Sequence, residues 1–230
     1  MQKTKIEWTD YSWNPIKGIC PTGCWYCYAR RIYHRFKWNP KIEIDPNELV
    51  NPYRLSNPSK IFLCSTIELF HPDIHPAWRE VIFDVVRNCP QHTFQILTKF
   101  PQNIDRPMPD NCWIGITVED GFGLERRVRG FQNVEAKVKF ISFEPLLDRI
   151  IWANYLGGIN WVIIGRLTGH GHRYDPEKRF IETIVQEAKE RSTPIFLKNN
   201  LKEIWGEPLI QEFPFGEVNE NPIHIKLGRR

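Results

Sequence analysis

The chain has 230 residues, of which 41% are hydrophobic and 25% charged, and 31 Lys and Arg stand against 27 Asp and Glu for a formal charge of +4. This is the make-up of a globular chain; it excludes disorder and fibrous repeats, and no apolar run approaches the ~20 residues of a membrane span. The small positive excess permits a polyanionic partner without defining one.

The opening stretch MQKTKIEWTDYSWNP has no apolar region or small-residue cleavage site of an export signal, so a cytoplasmic protein is expected. In a reducing compartment its six cysteines serve as thiols, metal ligands or redox groups. Cys20, Cys24 and Cys27 fall within eight residues, whereas Cys64, Cys89 and Cys112 are scattered and read as small buried thiols.

A first strand is expected around Trp13–Ile19, just before the cysteine cluster. Runs rich in Val, Ile and Phe recur at Ile61–Cys64, Thr93–Thr98, Trp113–Val118, Val138–Phe143, Asn160–Gly165 and Pro194–Lys198. They read as strands buried on both faces. Helical periodicity appears at Pro76–Asn88, Gly123–Gln132 and Pro176–Arg191, the last opened by Asp175 as N-cap with proline in the first turn. Alternating strands and helices predict an α/β fold with a parallel sheet and right-handed crossovers. Six or seven βα units suffice for a partial or near-complete TIM-like parallel βα barrel, with an open doubly wound sheet as the competitor. Repeats and linkers are absent from the sequence, so one domain is expected over residues 1–205. Residues 206–230 form a C-terminal extension that Phe213, Phe215 and Ile223 should pack back on the body.

In either architecture chemistry belongs at the carboxyl ends of the strands. Polar residues recur there: Ser65, Thr66 and Glu68; Thr98 and Lys99; Thr117 and Glu119; Ser142 and Glu144; Arg166 and Thr168; Lys198, Asn199 and Asn200. Each has a plainer reading as a solvated loop charge or a helix cap, and Glu144-Pro145 also reads as a rigid exit turn.

Cys20-Pro-Thr-Gly-Cys24-Trp-Tyr-Cys27 has the spacing C-x3-C-x2-C. Three thiolates this close can hold three corners of a cubane iron–sulfur cluster and leave one iron open. Gly18 and Gly23 suit a loop that folds back around such a group, and Trp25 and Tyr26 could screen it from water. A structural zinc site would need a fourth ligand such as His34. A redox pair of Cys24 and Cys27 would leave Cys20 idle.

The C-x3-C-x-aromatic-C pattern, placed after a first strand, resembles the signature of the radical S-adenosylmethionine superfamily. More closely, TKIEWTDYSWNPIKGICPTGCWYCYARR, IFLCSTIELFHPDI, QHTFQILTKFPQN, WIGITVED, FISFEPLL, NWVIIG and PIFLKNNL resemble, in order, the blocks of a phage-associated family of radical-SAM-like proteins of unknown function. After the sixth strand the chain reads Gly165-Arg-Leu-Thr-Gly169-His-Gly-His172, where relatives carry a second glycine followed by an acidic residue or a small-residue turn, so no role is transferred to that loop.

The resemblance implies a [4Fe–4S] cluster on Cys20, Cys24 and Cys27, with S-adenosylmethionine (SAM) chelating the remaining iron. It places acceptors for the methionyl ammonium at Ser65 and Glu68, ribose partners at Glu119, Ser142 and Glu144, and a carboxylate partner at Lys99 or Lys198. Adenine would lie near Tyr26 and Gly165. It also implies reductive cleavage of SAM to a 5′-deoxyadenosyl radical, and an electron donor such as flavodoxin or ferredoxin. A nucleoside, nucleotide or nucleic-acid substrate is favoured by two basic runs, Arg30-Arg31, His34-Arg35 and Lys37, and Arg126-Arg127 and Arg129, although solvated helix faces explain these equally. A non-catalytic nucleic-acid-binding or zinc-stabilised module is the alternative. His71, His75, His170 and His172 could form a second metal site or a proton relay, although loop histidines usually do neither.

Overall fold

The computed structural model describes residues 1–152 and 157–216. Ten strands are present: β1 (Gln2–Lys3), β2 (Tyr11–Trp13), β3 (Ile16–Lys17), β4 (Glu43–Ile44), β5 (Lys60–Leu63), β6 (Thr93–Thr98), β7 (Cys112–Thr117), β8 (Val138–Phe143), β9 (Trp161–Ile164) and β10 (Ile195–Leu197). The α-helices are α1 (Tyr28–Phe36), α2 (Pro46–Leu49), α3 (Pro76–Asn88), α4 (Gly121–Gln132), α5 (Lys178–Glu190) and α6 (Lys202–Trp205).

Eight strands form one open sheet in the order β1-β2-β5-β6-β7-β8-β9-β10, and β3 pairs with β4 in a separate ribbon. Within the eight-stranded sheet β1 runs antiparallel to its neighbour and the other pairs are parallel; the β3–β4 ribbon is antiparallel. The α/β expectation holds. The parallel strands follow chain order without the reversal that defines a doubly wound sheet, and α3, α4 and α5 all bury their apolar stripes against one face.

Strand alternation divides the sheet into two apolar layers. Ile61, Ile96, Ile114, Ile141 and Val162 face the helices. Trp113, Phe140, Trp161, Ile163 and Phe196 face the other way, where Trp8 and Phe213 cover them. The second layer is aromatic and tight: a Cβ at Gly115 would come within 2.6 Å of the Phe140 ring.

Several expected boundaries shift. The first strand is not a continuous Trp13–Ile19 run, because Pro15 has no N–H for a ladder; β2 ends at Trp13 and the chain restarts as β3. Between β6 and β7, where no helical periodicity is read, stands a 3-10 turn, Pro101–Asn103. The Pro176–Arg191 helix begins at Lys178 behind Glu177, so Asp175 is not its cap. Asp175 instead binds Arg166 at 2.9 Å and His172 at 2.8 Å, and with Arg166 it forms an ion pair in which both partners are charged. The helix expected from Gly123 starts at Gly121, with Asp120 accepting the Gly123 N–H at 2.7 Å.

Part of the C-terminal extension lies along the free edge of β10. Leu197 N–H donates to Ile210 C=O at 2.7 Å, and Glu212 N–H to Ile195 C=O at 2.8 Å, so this edge is covered. Phe213 is buried against Trp161, but Phe215 is 68% exposed and does not pack as expected. Ile223 lies outside the described residues.

Candidate functional site

The cysteine loop is bent by Gly18, whose φ of +110° and approach to the Lys41 carbonyl, 2.5 Å from an added Cβ, admit no side chain. Its N–H donates to the Tyr33 hydroxyl at 2.7 Å, fixing the bend to α1. Cys27 is the N-cap of α1, its Sγ accepting the Arg30 N–H at 3.5 Å, and its own N–H donates to Cys24 C=O at 3.1 Å. The Arg30 side chain reaches back to Cys20 C=O at 2.8 Å. One arginine therefore ties both ends of the C-x3-C-x2-C segment together, and it is not a free member of the basic run.

A cavity of about 730 Å³ opens beside this loop at the carboxyl ends of the strands, a size suited to a small-molecule site. Ten of the twelve residues expected for the site line it. Cys20, Cys24, Cys27 and Tyr26 come from the loop, Ser65 and Glu68 from beyond β5, and Lys99 from beyond β6. Ser142, Glu144 and Lys198 come from β8, its exit and the end of β10.

Glu119 stands one layer behind the wall. Its carboxylate accepts bonds from Tyr26 and Lys99, and from Arg127 at 2.6 Å. Through these bonds it supports Tyr26 and Lys99. Burial pushes its pKa up, but Lys99 and Arg127 outweigh this and hold it at about 2. Arg127, expected on a basic run, is buried and also donates to Thr117 C=O at 2.5 Å.

Lys198 pairs with Glu144; burial disfavours its charge, yet the Glu144 carboxylate raises its pKa. Gly165 borders this pair, since a Cβ there would sit 3.0 Å from both Glu144 Cδ and Lys198 Cδ. Glu68 is buried and its pKa is raised by desolvation, against bonds from Thr98 Oγ1 at 2.6 Å and Lys99 N–H at 2.8 Å.

Ser142 differs from these neighbours. Among the described residues its hydroxyl, buried on the cavity wall, has no hydrogen-bond partner, an arrangement that costs stability unless a ligand supplies one.

Sequence reading missed Asn14, whose Oδ1 accepts from Ser65 Oγ, Thr66 N–H and Thr66 Oγ1, each at 3.2 Å. Its position directly after β2 is the signal that could have found it. It also missed Tyr28, whose hydroxyl donates to Ser65 C=O at 3.1 Å. Cys64, Cys89 and Cys112 are buried as expected. Cys64 additionally lines the cavity, with φ of 57°.

Among the described residues no three His, Cys, Asp or Glu side chains gather tightly enough for a single metal ion. His71 accepts the Asp73 N–H at 3.1 Å, His75 the Ala77 N–H at 3.2 Å, and His172 pairs with Asp175. His170 packs edge-on against Trp25 of the cysteine loop, ring centroids 5.6 Å apart. His34 is exposed on α1.

The fold and cavity define an α/β protein with a mostly parallel sheet and a thiol-bearing cavity at the strand carboxyl ends. Residues 3–212 match the model of a family described as protein of unknown function (DUF5131), and the chain belongs to that family. No curated protein and no solved structure matches it. Among the described residues no helix is long and apolar enough to cross a membrane.

Proposed function

We propose that this protein is a radical-SAM-type enzyme, built on a partial parallel βα barrel and working in the cytoplasm with a flavodoxin- or ferredoxin-like electron donor. The observation that carries the reading is the placing of three thiols from one loop on the wall of the same cavity as Ser142, Lys99, Lys198 and Glu144. The chain-order strand sequence and the single helix-covered face support the barrel, because right-handed crossovers in constant direction curl a sheet around its inner layer.

Cys20, Cys24 and Cys27 would hold a [4Fe–4S] cluster, and the donor set fits: three soft ligands, bound by Arg30 into one turn, with no fourth thiol in the motif. When bound with SAM, the cluster supplies reductive cleavage to a 5′-deoxyadenosyl radical for hydrogen abstraction.

The chain's own residues bind and orient. Burial raises the Cys24 pKa, and the nearby Lys99 charge offsets this only in part. Lys99 and Lys198, paired with Glu119 and Glu144, bring their ammonium groups to the cavity wall, where a ligand carboxylate would meet them. Ser65 and Glu68 offer oxygen acceptors to an ammonium, and Ser142 and Glu144 offer polar partners to ribose hydroxyls. The bare Cα of Gly165 beside Glu144 and Lys198 leaves room for a flat base.

The test is anaerobic purification with iron and sulfide quantification, followed by reductant and SAM. The expected result is about four irons per chain, their loss in Cys24→Ala, and release of 5′-deoxyadenosine. A colourless protein after reconstitution, with equal metal content in Cys24→Ala, would leave only a non-catalytic module.

A further inference from the structure

Residues His34–Lys41 (HRFKWNPK) are all exposed and lead away from the cysteine loop at the end of α1. Phe36 and Trp38 are 56% and 53% exposed and stack on each other with centroids 5.7 Å apart and planes at 25°. The Arg35 guanidinium lies 5.4 Å from the Phe36 ring centre. Trp38 is also part of the cavity wall, so this aromatic platform is continuous with the candidate site.

Charge is concentrated in the same place. From Tyr28 to Ile42 the chain has five Lys or Arg and no Asp or Glu, and the remainder holds 26 against 27. The whole positive excess of the protein therefore belongs to this segment. Across the mouth, Arg31 donates to Gly169 C=O at 3.1 Å, and Trp25 packs on Tyr174 at 4.9 Å. Arg173 lies 5.2 Å from the Tyr174 ring centre, which repeats the cation–aromatic pairing on the facing loop.

We infer that this rim binds a single-stranded polynucleotide, RNA or DNA, and feeds one nucleotide toward the cavity. Arg35, Phe36, Lys37 and Trp38 alternate cation and ring, as bases and phosphates alternate along a strand. Half-exposed rings suit unpaired bases, because a duplex hides its π-faces in its own stack. An acidic peptide would use the cations but leave the stacked rings without a partner. The inference rests on the enzymatic reading of the cavity only in calling the strand a substrate.

The test is fluorescence anisotropy with labelled 20-nucleotide single-stranded RNA, single-stranded DNA and duplex DNA at 50 and 200 mM salt. Expected is binding of at least one single strand, tighter than the duplex, with the RNA and DNA arms identifying the source. Phe36→Ala should weaken it about tenfold. Trp38→Ala should do likewise, with thermal melting confirming that it is folded. The exposed pair Arg35→Gln and Lys37→Gln should lower the salt slope by about 1.4, at about 0.7 per lost phosphate contact. Cys24→Ser should bind the strand as wild type does, and Phe36→Ala should keep its iron, so failure of the strand reading and failure of the cluster reading separate. Absence of binding at 50 mM salt, equal binding of duplex, or indifference to both Phe36→Ala and the double variant would overturn the inference. Competition by polyglutamate that is equally sensitive to Phe36→Ala would overturn it in favour of an acidic protein partner.

Discussion

Tyr26, between two cysteines of the motif, donates its hydroxyl hydrogen to Oε1 of Glu119, 93 residues further on. The same carboxylate holds Lys99 and the buried Arg127. The loop that carries the thiols is thus fastened to the centre of the sheet through one acidic side chain.

Glu119→Gln should therefore destabilise the protein at neutral pH. Its carboxyl is held at about 2 against an ordinary 4.5, so the stabilisation is fully present above about 4.5 and disappears as pH falls through about 2. The expected cost at pH 7 is on the order of 3 kcal/mol, since removal of the charge strands Arg127 in the interior. Denaturant titrations of both forms at pH 7 and pH 3 should give a smaller gap at pH 3; a constant gap would refute the electrostatic origin.

Ser142→Ala separates binding from folding. Its hydroxyl is buried without a partner among the described residues, so removing it should leave stability unchanged or raise it by up to about 1 kcal/mol. If the oxygen serves a ligand, SAM affinity measured by calorimetry should fall about five- to thirtyfold, the equivalent of a hydrogen bond of about 1–2 kcal/mol. Unaltered affinity would remove Ser142 from the site.

Gly165→Ala should act through the Glu144–Lys198 pair. The added methyl would stand 3.0 Å from carbons of both side chains, and crowding of this kind costs about 1–3 kcal/mol. SAM binding should weaken by more than tenfold while the melting temperature drops only modestly. Full binding in Gly165→Ala would show that the pair can move aside and that the glycine is not needed for close approach.

Gly18→Ala should be worse for the fold than Gly165→Ala. It meets both a φ of +110° and backbone atoms of Lys41 and Ile42 within 2.8 Å of the new carbon, none of which can rotate away. The combined cost of backbone strain and overlap is about 2–5 kcal/mol, which at about 2–4 °C per kcal/mol should be plain in a thermal melt. A melting point within 2 °C of wild type, on that same scale, would contradict the geometry.

Strand identity was legible because buried strands need continuous Val, Ile and Phe: Thr93–Thr98 and Val138–Phe143 match their predicted limits residue for residue. The thiol cluster was legible for a covalent reason, all three cysteines being local in the chain. Asp175 was misread because its capping role depended on neighbours alone, whereas Arg166, across the loop, offered a stronger partner. Glu119 was placed at the right strand end, but its partners were not legible, since Arg127 and Lys99 approach it from a helix and another strand.

By itself the sequence determined which segments alternate as strand and helix, where glycine bends the cysteine loop, and that three soft ligands lie within eight residues of chain. These are matters of backbone preference and short spacing. Only the tertiary structure decided which carboxylates are already neutralised, that Ser142 is left without a partner, and that the aromatic end of α1 borders the same cavity. Such facts depend on which side chains converge from distant strands, and convergence is set by packing of the two sheet layers, not by any local run of residues.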